Sequence, residues 1–479
     1  MWFLSTRFYY ALLAFVCFWG LRAAADPDAA LELEPYTVKA TRLAATPLEV
    51  PAAVSVIDQE TIQQASAQLS INESLQTVPG VFVLNPFNYA QDSRIAIRGF
   101  GARSDFGIRG VRVVVDGIPA TLPDGQAGVD GIDLGSAATI EVIRGAAASI
   151  YGPASGGVIR IETEDAPDRP FAETRITGGD YGLLKTQFKA GWADGPWNVL
   201  VSSNYLDYEG YRDNSQTRNT ALNTKLRYAW ESGAELTTIV NVIDYPVQDD
   251  PGGLTAAEVA ANPRQARARN LQFDGGERVR QQKLGFAYRQ PLEAGHELRL
   301  HGFAVQRDFA NKLPFEDGGQ VGFERLYVGG GASYAYTREL FRLVAGVELG
   351  HQDDARKNYD NLNGMQGPVA LNQGERVLNF GSYLTGELAL PGEVTLSAAL
   401  RYDEVRFDVA DDFLADGDDS GELTFRETSP TAGIRWQPLP DFTLYGNVDT
   451  SFETPTTTEF DNPNGGGFND ALGVQQALS

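Results

Sequence analysis

The stretch Val394-Thr-Leu-Ser-Ala-Ala-Leu-Arg-Tyr402 alternates between two kinds of side chain. Val394, Leu396 and Leu400 fall on one face of an extended chain, whereas Arg401 falls on the other. A repeat of two residues is the period of a β-strand whose faces meet different surroundings. Segments of this kind, each about ten residues long, are typical of strands that cross an outer membrane.

The same alternation recurs from residue 171 onward, for example over 441–452. The connections alternate in length, except that the first, near Asp180-Tyr181, is short where a long one is due. Short turns are predicted near 193–196, 231–234, 291–296, 338–339, 391–392 and 438–441. Long loops are predicted near 209–218, 245–275, 310–322, 353–374 and 410–421. Short periplasmic turns and long outer loops favour an outer-membrane barrel over a soluble all-β fold. We predict a transmembrane antiparallel β-barrel, with about 13 strands in the domain 171–479.

The first 25 residues have the features of a secretory signal peptide. Arg7 precedes an apolar run from Phe8 to Trp19, and an Ala-x-Ala cleavage site ends at Ala25. Cys17, the only cysteine, lies inside this run, so we expect no disulfide and no thiolate chemistry in the mature protein. No run of 18 apolar residues follows residue 25, so no spanning helix is expected.

The composition excludes several classes of function. A net charge of −24 would repel nucleic acid. The three histidines, His296, His301 and His351, are scattered, and no Ser-His-Asp or Cys-His arrangement can be assembled. We therefore expect no enzyme, no resident metal and no cofactor. The acidic stretch 408–422 could bind calcium, but it lacks EF-hand spacing and also fits a solvated outer loop.

Residues 50–166 predict a compact α+β domain that ends before Pro167. Short strands are predicted at 53–57, 81–84, 94–98, 111–116, 139–144 and 158–163. Asp58 is placed to cap a short helix over 58–64. Ser70 and Glu73 have capping-box spacing at the start of a second helix, which Pro79-Gly80 would stop. Residues 26–49 are expected to form the linker between the signal peptide and this domain.

Several motifs in this domain occur in a fixed order. They are Tyr36–Ala40, Glu73–Gly80, Ile97–Gly101, Val114–Pro119, Ile140–Gly145, Ser149–Gly152 and Gly156–Val158. Together they resemble the plug of TonB-dependent outer-membrane receptors. The departures are Gly145-Ala146, where the family usually has Gly-Pro, and Gly152-Pro153, where Gly-Asn or Gly-Ser is commoner.

The resemblance implies a plug inside the lumen of a 22-stranded barrel, in the outer membrane of a Gram-negative bacterium. It also implies active import of a small molecule, driven by TonB and its inner-membrane energising complex. Outer-membrane lipid and lipopolysaccharide would surround a monomer. A 22-stranded barrel would need roughly 650 residues, so we expect a C-terminally truncated sequence that lacks about nine strands.

A narrower resemblance is to the branch that contains the receptor for pyrroloquinoline quinone. It rests on 99–110, 116–126, 210–213, 249–255 with 261–263, and 452–456. It implies a small anionic ligand such as that quinone. The alternative is a ferric siderophore or another ferric chelate. A signalling transducer, a passive porin and a non-functional barrel fragment are further alternatives.

Two groups of residues follow as candidate sites. The resemblance identifies Tyr36, Thr37, Val38, Lys39 and Ala40 as a TonB box, although a plain linker strand would look similar. An extended segment of this kind pairs with its partner through backbone hydrogen bonds.

The second group lies in three loops, 85–92, 100–109 and 121–129, which the resemblance places at the plug apex. The middle loop belongs to an arginine-rich stretch, 94–112, where Asp105 is the only acid. Guanidinium groups there would bind carboxylates, and aromatic rings would stack on a flat ligand. The expected ligand-binding residues are Arg103, Arg109, Phe100, Phe106, Tyr89 and Gln126. Arg98 and Arg144 are expected instead to form ion pairs between plug and barrel.

Overall fold

The computed structural model describes residues 50–478, except 65, 85–86, 103, 105–106, 146–149, 441 and 461–467. The predicted signal peptide (1–25) and TonB box (36–40) lie outside the described residues. Plug and barrel strands belong to one compact unit. No helix in the described part of the chain is long and apolar enough to span a membrane.

The plug is a small α+β domain. Its elements are β1 Ala53–Asp58, α1 Gln59–Gln63, α2 Asn72–Leu75, β2 Val81–Leu84, β3 Arg94–Ile97, β4 Val111–Val115, β5 Ile118–Pro119, β6 Ala137–Arg144 and β7 Gly157–Thr163. One sheet has the order β1-β6-β7-β4-β5, and β2 pairs with β3. The β4–β7 pair is parallel and the other pairs are antiparallel.

Apolar side chains on one face of the plug sheet and on its helices hold the plug together. Ile62 and Leu75 of the helices and Ile95, Ile159 and Ile161 of the strands are fully buried in one cluster. Burying a side chain of this size contributes roughly 1.5–3 kcal/mol. The plug therefore has a core of its own inside the barrel.

The helix starts follow the predicted capping only in part. Asp58 caps α1, because its Oδ1 accepts the Thr61 N–H at 2.9 Å. At α2 the Glu73 carboxylate accepts the Ser70 N–H at 3.2 Å, as a capping box requires. Ser70 Oγ, however, accepts the Asn72 N–H rather than that of Glu73, and Ile71 is the N-cap. The predicted box is thus half formed.

The barrel strands form one antiparallel sheet in sequence order. They are β8 Phe171–Gly178, β9 Leu184–Asp194, β10 Trp197–Tyr208, β11 Thr217–Ala229, β12 Glu235–Asp249, β13 Gly276–Pro291, β14 His296–Lys312, β15 Gln320–Thr337, β16 Phe341–Leu362, β17 Met365–Leu390, β18 Val394–Asp411, β19 Gly421–Leu439, β20 Phe442–Glu453 and β21 Gln475–Leu478. Thirteen of these lie between residues 171 and 453, as the polarity pattern predicts.

The predicted two faces are confirmed in β18. Leu396 and Leu400 are 39% and 52% exposed, whereas Arg401 is 2% exposed. In β20, Asp449 is buried in the same way and Val448 is exposed. An apolar outer face suits lipid, and the polar face turns toward the plug.

One predicted loop is wrong. Residues 353–374 do not leave the sheet, because β16 and β17 stay paired as far as Leu362 and Met365. A tight turn joins them at Asn363-Gly364, where both residues have positive φ, 53° and 88°. Asn-Gly is the preferred dipeptide for such a hairpin turn. The strands therefore extend far beyond the predicted ten residues. The loop after β12 carries two short helices, α3 Ala256–Ala261 and α4 Ala268–Gln272.

Candidate functional site

A cavity of about 790 Å³ lies between the plug and the inner face of the sheet. Its size is within the range of small-molecule sites. Among the described residues, seven basic and nine acidic side chains border it, so its charge is mixed.

The barrel side of the cavity carries two cross-strand pairs. Arg307 lies opposite Arg325, and Phe309 lies opposite Phe323. The two phenyl rings stack, with centroids 4.9 Å apart and planes 15° apart. The Arg325 guanidinium lies 4.5 Å from the Phe323 centroid, and that of Arg307 lies 6.0 Å from the Phe309 centroid. We call these four residues the aromatic–arginine wall.

Each arginine of this wall has its own carboxylate, which makes the direct Arg–Arg pairing tolerable. Arg325 binds Asp354 with two parallel hydrogen bonds, at 2.7 Å from Nε and 2.5 Å from Nη2. Arg307 Nη1 donates to Asp130 of the plug at 2.7 Å. The plug and the wall are therefore joined by an ion pair at the cavity edge.

The plug side of the cavity includes a tight turn over residues 122–126. The Leu122 N–H donates to Gln126 O at 2.7 Å, and Asp124 Oδ1 accepts the Gln126 N–H at 3.0 Å. Asp124 is 1% exposed, and its Oδ2 has no hydrogen-bond partner among the described residues. Burial raises the pKa of Asp124 to about 6, against the opposing effect of the Arg325 charge.

This raised pKa predicts a pH-dependent stability. A carboxyl with a higher pKa in the folded chain binds its proton more tightly when folded, so stability falls as pH rises. For Asp124 the fall should run from its ordinary value of 3.8 to about 6 and be complete above that. We expect at most about 3 kcal/mol. Asp124→Asn keeps the Oδ1 acceptor and should flatten this part of the profile. Unfolding transitions measured between pH 4 and pH 7 test it, and superimposable profiles would refute it.

Of the predicted ligand residues, the structure brings only Gln126 to the cavity among those it describes. Arg109 joins plug to barrel instead: Nη1 donates to Glu459 at 2.8 Å and Nη2 donates to Thr454 O at 2.7 Å. The ring of Tyr89 packs edge-on against Tyr208, with centroids 6.4 Å apart.

Phe100 packs inside the plug, where a Cβ on Gly156 would lie 2.8 Å from Phe100 Cβ. Arg103 and Phe106 lie outside the described residues. The basic apex predicted from 94–112 is thus partly engaged in structural contacts.

Arg98 and Arg144 do not form the expected ion pairs with the barrel among the described residues. Arg144 donates to Pro79 O at 2.6 Å and to Ser55 Oγ at 3.1 Å, both within the plug. Arg98 is exposed, and its backbone N–H donates to Gly80 O at 2.9 Å. Arg98 follows β3 and Arg144 ends β6, and both strands end beside the plug's own Pro79-Gly80 turn, whose Pro79 carbonyl accepts from Arg144.

Other side chains form the ion pairs between barrel and plug. Besides Arg307 with Asp130, Lys189 contacts Glu164 at 2.5 Å and Lys225 contacts Asp165 at 3.0 Å. Arg401, which is buried, donates from Nη1 to Ile150 O at 3.0 Å.

Sequence reasoning missed the aromatic–arginine wall. Its signal is the pair of mirrored triplets Arg307-Asp-Phe309 and Phe323-Glu-Arg325, in which alternate residues share one face of a strand. Their partnership depends on the register of β14 with β15, which the predicted loop between them did not fix.

Two family models match this chain. Residues 46–158 match the TonB-dependent Receptor Plug Domain. Residues 163–473 match the TonB dependent receptor-like, beta-barrel model. The first match ends and the second begins within β7, where the chain leaves the plug sheet.

Individual proteins are similar over parts of their length. The vitamin B12 transporter BtuB of Photobacterium profundum is 35% identical over 158 residues, which cover 32% of this chain and 24% of that protein. The hemin receptor of Yersinia enterocolitica is 31% identical over 136 residues, which cover 28% and 19%. The unliganded crystal structure of the ferric citrate transporter FecA aligns with a TM-score of 0.73 at 20% identity, over 85% of this chain and 63% of that one. The chain therefore spans less than two thirds of each relative, and the structural likeness shows the fold.

Proposed function

The chain belongs to the TonB-dependent receptor family, and on that premise we propose that it is an active transporter for a small, carboxylate-bearing ligand. Its location is the outer membrane of a Gram-negative bacterium. The observation that carries the proposal is the cavity between plug and barrel, which the aromatic–arginine wall borders. A binding site between plug and barrel suits a receptor that admits its ligand only when the plug rearranges.

The chemistry of the wall favours a flat ligand with carboxylates. Phenyl rings offer stacking faces, and guanidinium groups bind carboxylates through paired hydrogen bonds. The nine acidic side chains of the cavity oppose a bare anion. At the wall, the ligand's carboxylates would therefore have to displace Asp130 or Asp354 from their arginines.

Pyrroloquinoline quinone has this chemistry, because it is a flat ring system that carries three carboxylates. A ferric chelate with carboxylate arms would use the same guanidinium groups and is the second candidate. Arg103 and Phe106 remain proposed contacts at the plug apex, together with Gln126, which borders the cavity. The energy would come from TonB through residues 36–40.

Accumulation assays separate the two candidates. Cells that express this protein as their only receptor would be given labelled pyrroloquinoline quinone or labelled ferric citrate. Saturable accumulation of the quinone, with competition by excess quinone and not by ferric citrate, would support the first candidate. The reverse pattern would select the ferric chelate, and accumulation of neither would refute the carboxylate-bearing class.

Arg325→Met tests the wall directly. The substitution removes the guanidinium that lies over Phe323 and keeps much of the side-chain volume. We expect ligand affinity to fall about tenfold or more, the loss expected for a charge-assisted contact. The matched control is Arg280→Met on β13, whose side chain is 69% exposed and pairs with Asp244. Equilibrium binding to purified protein is the measurement, and equal affinities of the two variants would exclude Arg325 from the site.

A further inference from the structure

We propose that the ligand descends along one flank of the plug, between it and strands β10 to β13, and that Lys225 closes the lower end of this route. The route presupposes the import function proposed above. It adds the side of the plug on which transport occurs and the group that blocks it.

The upper part of the route is a row of four polar side chains on neighbouring strands. Ser202 lies opposite Asn223, Asn223 opposite Asn241, and Asn241 opposite Lys283. All four border the cavity, as do Asp133 and Ser136 on the facing surface of the plug. We call these four barrel residues the polar row. It continues the cavity downward from the aromatic–arginine wall along the plug surface.

The polar row has unused hydrogen-bonding capacity. Asn241 Nδ2 donates to Asn223 Oδ1 at 2.5 Å, which leaves Asn223 Nδ2 and Asn241 Oδ1 as buried atoms without a partner among the described residues. Buried amide groups that stay unsatisfied cost free energy. Their position beside a cavity suits transient contact with a polar ligand.

The next row down is apolar except at one position. Leu200 lies opposite Lys225, and Lys225 opposite Ile239. Leu200 and Ile239 are buried, and Ile239 packs with Ile118 of the plug. We call Leu200, Lys225 and Ile239 the collar. Lys225 is its one charged side chain, and the collar begins where the polar row ends.

Lys225 lies at the end of the cavity that is nearer to the short turns of the barrel. Its Nζ donates to Thr163 O at 2.8 Å and contacts Asp165 at 3.0 Å and Asp116 at 3.9 Å. Asp116 and Thr163 border the cavity. The Asp116 side chain is 5% exposed and that of Lys225 is 13% exposed, whereas that of Asp165 is 36% exposed. Lys225 therefore lies between the enclosed cavity, on the Asp116 side, and solvent, on the Asp165 side.

Thiol labelling tests both the route and the gate. In a full chain whose Cys17 is replaced by serine, Asn223→Cys would place one thiol in the polar row. The rate of its reaction with a small charged maleimide would be measured on purified, folded protein. We expect Lys225→Met to raise this rate about fivefold, because it removes the contacts that hold the collar closed. Lys225→Arg keeps the charge and should leave the rate unchanged.

Lys189→Met is the matched control, since Lys189 also ties the plug to the barrel but does not border the cavity. Asp165→Asn removes the exposed partner of Lys225 and should raise the rate about twofold. If Lys225→Met does not fold, Asp165→Asn serves as the test of the gate instead.

An unreactive Cys at position 223 in every background would refute the route. Equal acceleration by Lys189→Met would refute the gate, because it would mean general loosening of the plug. Labelling needs neither ligand nor energy, so these failures are distinguishable from a failure of the uptake assays, which test the import function.

Discussion

Replacing Thr37 by proline is expected to reduce ligand uptake to the level of cells without the receptor, while ligand binding is unchanged. Proline has no backbone N–H, and pairing of an extended peptide with a partner strand depends on backbone hydrogen bonds. The proposed ligand contacts lie in the cavity and at the plug apex, and Thr37 is not one of them. Uptake and binding of labelled ligand would be measured side by side in the same cells.

Thr37→Val is the control for this variant, because valine keeps the N–H and the preference for extended backbone. It should transport normally. Normal uptake by Thr37→Pro would place the TonB-binding segment elsewhere in the chain. Loss of binding as well as uptake would point to a folding defect rather than to a lost partner contact.

Replacing Arg401 by methionine is expected to destabilise the folded protein by about 3 kcal/mol. Arg401 is 2% exposed and donates to Asp403 at 2.7 Å and to Glu348 at 3.2 Å. Methionine would leave two acidic groups without this guanidinium and would remove the contact with Ile150 of the plug. The nearby charge of Arg112, which also acts on Asp403, places the effect at the lower end of the range for broken buried pairs.

Arg406→Met on the same strand is the matched control. Arg406 and Glu422 form an ion pair at 2.7 Å, but both side chains are 51% exposed. Exposed pairs contribute about 1 kcal/mol or less. Thermal unfolding and protease resistance in detergent would separate the two variants. Equal shifts in unfolding temperature would mean that the buried contacts of Arg401 add no more stability than an exposed ion pair.

The sequence is sufficient for the parts of the fold that repeat. Period-two polarity predicts strands and faces, because lipid and the plug-filled lumen impose opposite requirements on successive residues. It did not predict the β16–β17 extension, because polar residues beyond the membrane look the same in a strand and in a loop. The Asn363-Gly364 turn was the local signal that could have corrected this.

The candidate site was less accessible from the sequence, because its contacts join distant parts of the chain. Arg109 has the residue type expected of a ligand contact, yet it forms an ion pair with Glu459, 350 residues away in the sequence. Phe309 and Phe323 become one surface only through the register of their strands. Residue type alone could identify arginines and aromatics, but it could not decide which of them pair with acids and which border the cavity.

The measurement that tests the central claim most directly is accumulation of labelled ligand before and after a protonophore collapses the proton-motive force. The cells would express this protein as their only receptor. We predict saturable accumulation that stops when the protonophore is added, while ligand remains bound at the cell surface. Accumulation that continues unchanged would contradict active import and would mean that the protein lets its ligand diffuse passively.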